Sequence, residues 1–466
     1  MLFNSLNFLL FFPTVCIIYY ILPTCKQRNL FLLAASYFFY MNWQPIYALL
    51  LFGSTIVTWL AAIKMNSSQT LVTKKCILTI CVVLNLSVLF IFKYYNFATD
   101  IITGMWQNSD IALSMPQFTL LLPIGISFYM LQAIGYSIDV YRENVPVEKN
   151  FFTYALFVSF FPQLVAGPIE RSSHLVSQFK QKHTFDYGEA MVGIRMMVWG
   201  YFLKLVLADR CALYVDAVFN NVEHHNGGSF LVASLLFTFQ IYGDFAGYSL
   251  IAIGTARILG FRLLKNFSRP YFSTSITDFW HRWHISLSSW LKDYVYIPLG
   301  GSHKGVFRNY TNLLITFGVS GLWHGANWTY IIWGLWHGLA ICFNKSLNVA
   351  KFSFCKSKFA HWAITFGVVC FGWIFFRATT LTDAYIIIKG IFVDFGVPYM
   401  ENAQFYAIAL AIVILIFKEA KDEFRWNIHI ADSSVWFIQH LYLSFMILYI
   451  LALGVLNSSQ FIYFQF

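Results

Sequence analysis

Charged side chains are scarce in this sequence: they make up 11% of its 466 residues, against about 25% in an ordinary globular chain. So few charges cannot cover a water-facing surface, which excludes a soluble globular enzyme. Paired cysteines are missing too. The eight cysteines form no CxxC and lie mostly in or beside apolar runs, as Cys16, Cys81, Cys342 and Cys370 do. They read as small core-filling residues rather than a disulfide framework or a zinc site. No HExxH and no Cys/His set accompanies the closely spaced His281 and His284, so no metal is expected. The opening run LNFLLFFPTVCIIYYIL has no basic region before it and no small-residue cleavage site after it. It reads as a retained span, not a signal peptide.

What the chain has instead is apolar mass: 58% hydrophobic and 20% aromatic residues, in runs recurring from residue 6 to residue 455. The expected fold is an all-α polytopic membrane protein, with residues 1–466 forming a single integral membrane domain and no appended soluble module. The formal charge of +10 comes from basic residues scattered over short loops. That scatter fits positive-inside topology and contact with membrane lipid, and no nucleic acid partner is expected.

Basic clusters mark the cytoplasmic loops: Lys26 with Arg28, Lys64 with Lys74 and Lys75, Arg142 with Lys149, Arg171 with Lys180 and Lys182, Arg257 through Lys265 and Arg269, Lys304 with Arg308, Lys345 to Lys358, and Lys418 to Arg425. Residues 4–22 then cross once, with the N-terminus outside, and residues 30–63 form a hairpin of two short passes. Residues 151–167 are too few to cross twice and predict a re-entrant element ending near Pro162 and Gly167. Residues 311–343, between Arg308 and Lys345, predict a second hairpin with His324 at its inner turn. The last span, residues 434–455, places the C-terminus outside.

Ionisable groups at membrane depth mark function. The densest set, in SRPYFSTSITDFWHRWHISLSSWLKDYVYIPLGG at 268–301, contains Asp278, His281, Arg282, His284, Lys292 and Asp293. An amphipathic interfacial helix accounts for such a segment equally well. The stretch GVSGLWHGANWTYIIWGLWHG at 318–338 places His324 and His337 in two copies of GLWHG. Their glycines either form two GxxxG packing faces or let a bulky substrate approach the imidazole.

Several blocks taken together resemble the bacterial membrane-bound O-acyltransferase (MBOAT) family, in its alginate and peptidoglycan O-acetyltransferase branch. They are AGPIERSSHLVSQF at 166–179, QIYGDFAGYSLIAIGTARILGF at 240–261, FWHRWHISLSSWLKDYVYIPLGG at 279–301, SGLWHGANWTYIIWGLWHG at 320–338, FGWIFFRA at 371–378 and the terminal FIYFQF at 461–466. The motif core covers about 120–378. The resemblance implies an MBOAT-type helical bundle with re-entrant helices around a central tunnel, in the bacterial cytoplasmic (inner) membrane. It makes His324 the catalytic histidine, His284 the second active-site histidine, and Tyr463 an acyl carrier that an interfacial aromatic anchor would otherwise explain. Candidate substrate-binding residues are Trp323, Asn327, Trp328, Asp293, Arg282 and Lys304. The implied donor is acetyl-CoA on the cytoplasmic side. The implied partner is a separate extracytoplasmic polysaccharide O-acetyltransferase acting on peptidoglycan, with alginate or another exopolysaccharide as the alternative. Two positions depart from the branch: Leu250 stands where Asp is common, and His281 where Arg is. A transporter or flippase, or an envelope scaffold, are the rivals from other classes.

Overall fold

The computed structural model describes residues 1–106, 116–118, 121–165, 167–349, 357–399, 402–428, 433, 435–456 and 461. Among the described residues every regular element is helical, as an all-α membrane protein requires. Among the described residues six stretches are long and apolar enough to cross a membrane: Pro45–Ser67, Leu71–Trp106, Tyr187–Phe219, Gly227–Ile258, Lys358–Arg377 and Trp436–Leu453. The described chain divides into two compact units, Met1–Gly193 with Thr255–Leu264, and Ile194–Gly254 with Lys265–Phe466.

The first unit holds α1 (Leu6–Ile21), α2 (Cys25–Met41), α3 (Ala48–Ser67), α4 (Leu71–Leu89), α5 (Tyr95–Trp106), α6 (Ile126–Tyr141), α7 (Phe151–Ser159), α8 (Phe161–Leu164) and α9 (Ser172–Phe179). Side-chain caps start several of them: Ser5 caps α1, Thr24 builds a capping box on α2, and Asn150 caps α7. α6 packs on α3 and α4 and is buried on every face from Ile126 to Ser137. The hairpin expected over 30–63 is the α2–α3 pair. The expected part-way element is α7, whose 9 residues reach only about 13 Å, followed by a break at Phe160 and the short α8 containing Pro162. Arg28 departs from its reading as a loop charge. It is buried, and its guanidinium donates to the carbonyls of Leu22 (2.7 Å), Tyr20 (3.1 Å) and His183. The buried arginine is tolerated because each of its three guanidinium nitrogens donates to a carbonyl.

The second unit takes most of α10 (Tyr187–Tyr201), a π-helical stretch at Phe202–Ala208, α11 (Asp209–Phe219) and most of α12 (Gly227–Ile258). It continues through α13 (Ile276–Arg282), α14 (Ile285–Leu291), α15 (Val306–His324), α16 (Trp328–Val349), α17 (Lys358–Arg377), α18 (Leu381–Val393), α19 (Asn402–Glu423) and α20 (Trp436–Leu453). At its centre Trp283, Trp333 and Trp373 are fully buried. Inside the π-helical stretch, Lys204 is 2% exposed and pairs with Asp209 (2.8 Å) and Asp244 of α12 (2.6 Å).

Two expectations change here. The segment 268–301 is not one amphipathic helix. It holds a 3-10 turn at Pro270–Phe272, then α13 and α14, broken at Trp283–His284, with α14 running on into a π-helical stretch at Lys292–Tyr296. The hairpin expected over 311–343 is longer, because Arg308 and Lys345 lie inside α15 and α16 rather than ending them. Long straight-chain basic residues are good helix formers, so they do not mark a helix end. The arms have 19 and 22 residues, about 28 and 33 Å, each close to a full crossing of a ~30 Å core.

Candidate active site

His324 is the last residue of α15, with the α15–α16 turn directly behind it. Leu313, Thr316, Phe317 and Ser320 precede it at three- and four-residue spacing, so all five residues lie on one face of the helix. That face lines a cavity of about 290 Å³. From Leu313 to His324 the lining runs about 16 Å along the helix. Trp280 and His281 of α13, Leu287 and Ser288 of α14, Lys292 and Tyr296 beyond α14, and Ile341 and Lys345 of α16 complete much of the wall. The lining grades from exposed His281 and Lys292 to His284 and His324, which are 1% and 3% exposed.

His284 reaches this cavity because the helix breaks. Its backbone is left-handed, with φ 43° and ψ 53°. A residue with a Cβ pays about 1–2 kcal/mol to adopt that conformation. The break is held from outside by the loop after α12. Ser268 N–H donates to the carbonyl of Arg282 (3.0 Å), and Ile285 N–H donates to the carbonyl of Asn266 (2.9 Å). One loop thus grips the chain on both sides of Trp283–His284.

The two imidazoles lie 6.5 Å apart, centre to centre, with planes inclined at 60°. That separation is too long for a direct hydrogen bond between the rings and leaves space for a reacting group. Trp323 (4.9 Å), Trp333 (5.0 Å) and Phe376 (5.2 Å) pack on His324 without lining the cavity. Phe245 packs edge-on against His284 at 4.6 Å. Burial pushes the imidazole of His284 down to about 3, so it is neutral at physiological pH and offers one ring nitrogen as an acceptor. Among the described residues no group of three or more His, Cys, Asp or Glu side chains could hold a metal ion.

The glycines flanking His324 and His337 serve packing. A Cβ on Gly321 would sit 2.2 Å from the carbonyl oxygen of Tyr330, and one on Gly334 would sit 2.2 Å from that of Phe317. The space thought open to a bulky substrate is filled by the facing helix, as GxxxG contacts require. His337 is fully buried in an aromatic cage, with Trp280 at 5.1 Å and Trp333 at 5.3 Å. It does not line the cavity.

The other sequence candidates take different places. Trp323 packs on both histidines, lying 6.0 Å from His284. Arg282 is held by Asp278 (3.0 Å) and Glu423 (2.9 Å). Asn327 accepts from the Thr329 amide (3.1 Å) and donates to the Thr379 carbonyl (2.9 Å), bracing the start of α16. Trp328 is half exposed and Lys304 exposed. Asp293 is adjacent to cavity-lining Lys292 but is not itself in the lining. Tyr463 lies outside the described residues. Phe461, at the start of the same terminal motif, is 1% exposed and packs on Tyr248 (4.6 Å) and Phe245 (5.8 Å). Lys292 belongs to the ionisable set at 268–301 but has no assigned role there, and the sequence reading misses Lys345, Thr316 and Ser320. The three-and-four spacing leading to His324 was the available signal for the last two.

Comparison with known proteins fits this geometry. The profile of the membrane-bound O-acyltransferase family matches residues 142–382, more than half of the chain, and includes both histidines. The chain belongs to the membrane-bound O-acyltransferase family. It is therefore an enzyme, an O-acyltransferase of the membrane, rather than a carrier or a scaffold. The chain is 37% identical to a Pseudomonas putida protein named "probable alginate O-acetylase", over the whole of both chains. It is also 37% identical to a Helicobacter pylori peptidoglycan O-acetyltransferase, over 84% of this chain and 79% of that one. A Bacillus subtilis teichoic acid D-alanyltransferase is 29% identical over 56% of this chain and 70% of that protein.

Proposed function

We propose that this acyltransferase takes an acetyl group from acetyl-CoA at the cytoplasmic face of the bacterial inner membrane and delivers it outside through a tyrosine relay at Tyr463. Both termini then lie on the extracytoplasmic side. The observation that carries the reading is the convergence of His284 and His324, 40 positions apart in sequence, on one cavity whose wall also holds Lys292 and Lys345. The lysines supply positive charge for the donor's phosphates. His324 removes the phenolic proton as the Tyr463 oxygen attacks the acetyl carbonyl. The carbon–sulfur bond breaks and the departing thiolate is protonated. A phenol of pKa about 10 stands near a thiol of about 8.5, so an acyl-tyrosine keeps much of the thioester's transfer potential. A separate extracytoplasmic transferase then moves the acetyl group to a polysaccharide hydroxyl. Burial of Phe461 against Phe245, which itself packs on His284, supports a tail that returns towards the histidines.

The acceptor we propose is peptidoglycan. The alginate O-acetylase name of the full-length relative makes an exopolysaccharide the second reading. Mass spectrometry of wall glycan and secreted polysaccharide, from cells with and without the protein, separates the two. His324→Ala is expected to leave membrane insertion intact and abolish acetylation, and Tyr463→Phe to do the same with loss of the acetyl adduct on the terminal peptide. Full acetylation by Tyr463→Phe refutes the relay, and full acetylation by His324→Ala refutes the whole reading.

A further inference from the structure

We infer that Asn266 is a positioning residue for the active site: it locks the left-handed turn that aims His284 into the cavity. The inference rests on the active-site reading of His284. The turn has no glycine to make φ 43° easy, so neighbouring bonds must hold it. Asn266 is 1% exposed and spends three groups on the task. Its backbone carbonyl accepts from Ile285 N–H at 2.9 Å, the amide immediately after His284. Its side-chain oxygen accepts from the Ser286 hydroxyl at 2.6 Å and from the Ser286 amide at 3.4 Å. Its side-chain amide donates to the Ser249 hydroxyl on α12 at 3.0 Å.

Ser249 and Ser286 are each 2% exposed, so water does not compete for these bonds. The side chain thereby ties the first turn of α14 to α12, the helix whose Phe245 also packs on the His284 ring. No other residue reaches both the carboxyl-side amide of His284 and α12 through its own atoms among the hydrogen bonds described. Removing the Asn266 side chain leaves the backbone bond in place but frees α14 to slide relative to α12. The imidazole moves with it. Lys345, the donor-binding lysine on α16, is left in place.

The test uses membranes carrying the full chain, with added acetyl-CoA as the probe and CoA release as the readout. Asn266→Ala is expected to lower kcat about a hundred-fold, the size of effect an ångström of misplacement produces, with KM for acetyl-CoA moving less than about two-fold. Ser249→Ala, which removes only the α12 anchor, is expected to lower kcat about ten-fold in the same pattern. A merely structural role would reduce the amount of folded protein and leave turnover per molecule unchanged, and that result overturns the inference. Should Asn266→Ala fail to accumulate, Ser249→Ala and Ser286→Ala decide: full kcat in both overturns it. His284→Ala runs alongside. If it keeps wild-type turnover, the reading of the site fails; if it is inactive while Asn266→Ala is not, only the positioning role fails.

Discussion

Replacing Gly334 by alanine tests how closely the site depends on the α15–α16 contact. The added methyl group would lie 2.2 Å from the Phe317 carbonyl oxygen and 3.1 Å from the Gly321 nitrogen. A carbon–oxygen contact needs at least about 3.3 Å, so the two helices must part by about 1 Å. Overpacking of this kind costs about 1–3 kcal/mol, partly offset by the ~1 kcal/mol gain in helix propensity from Gly to Ala. The net loss of stability should therefore be at most about 2 kcal/mol. Activity should change a great deal, because Phe317 and His324 share the cavity face of the helix that is pushed, and an ångström of displacement at a reacting group costs about a hundred-fold in rate. The assay is acetyl transfer per folded molecule, with the thermal midpoint measured in the same detergent. Gly318→Ala is the control on the same helix: its methyl group meets only Leu335 at an ordinary 3.7 Å, and activity should be preserved. Wild-type turnover by Gly334→Ala would show that the hairpin does not set the position of His324, and the argument from close approach would be wrong.

Joint replacement of Lys292 and Lys345 by alanine should raise KM for acetyl-CoA about ten-fold, equivalent to ~1.4 kcal/mol, with kcat held. The difference from the parent should shrink as salt is raised, because exposed charges are screened; an unchanged KM removes the lysines from donor binding. Lys204→Met should be among the most damaging changes outside the cavity. It leaves Asp209 and Asp244, each 4% exposed at the side chain, without their shared cation. Breaking a buried pair costs about 3–5 kcal/mol, so the variant should yield little folded protein, and normal yield with a normal melting temperature would contradict the buried-pair account.

The sequence alone established the solvent and the class of fold. Composition ruled out a water-soluble body, because apolar area on this scale can be hidden only in lipid. The turn at His324 and the short element at 151–167 were legible from the chain, but the charges at Arg308 and Lys345 set the hairpin's ends too short. The glycines of both GLWHG copies left packing and substrate access open, which the facing helices decided for packing, and the combination of motif blocks pointed to acyl transfer. The tertiary structure decided which polar residues meet. His281 and His284 sit three apart in a pattern that reads as one helix turn, yet a left-handed residue separates their helices, and only backbone geometry can show that. His324 and His337 occupy identical pentapeptides, yet one lines a cavity and the other fills an aromatic cage. Both rings pack on Trp333, and what separates them is which neighbouring helices surround each ring. Lys204 and Asp244 are solitary charges within apolar runs until a π-helical stretch brings them into contact. Periodicity reports a side chain's face on its own helix; which residue lies across from that face is set by packing, and long-range packing leaves no local trace in the chain.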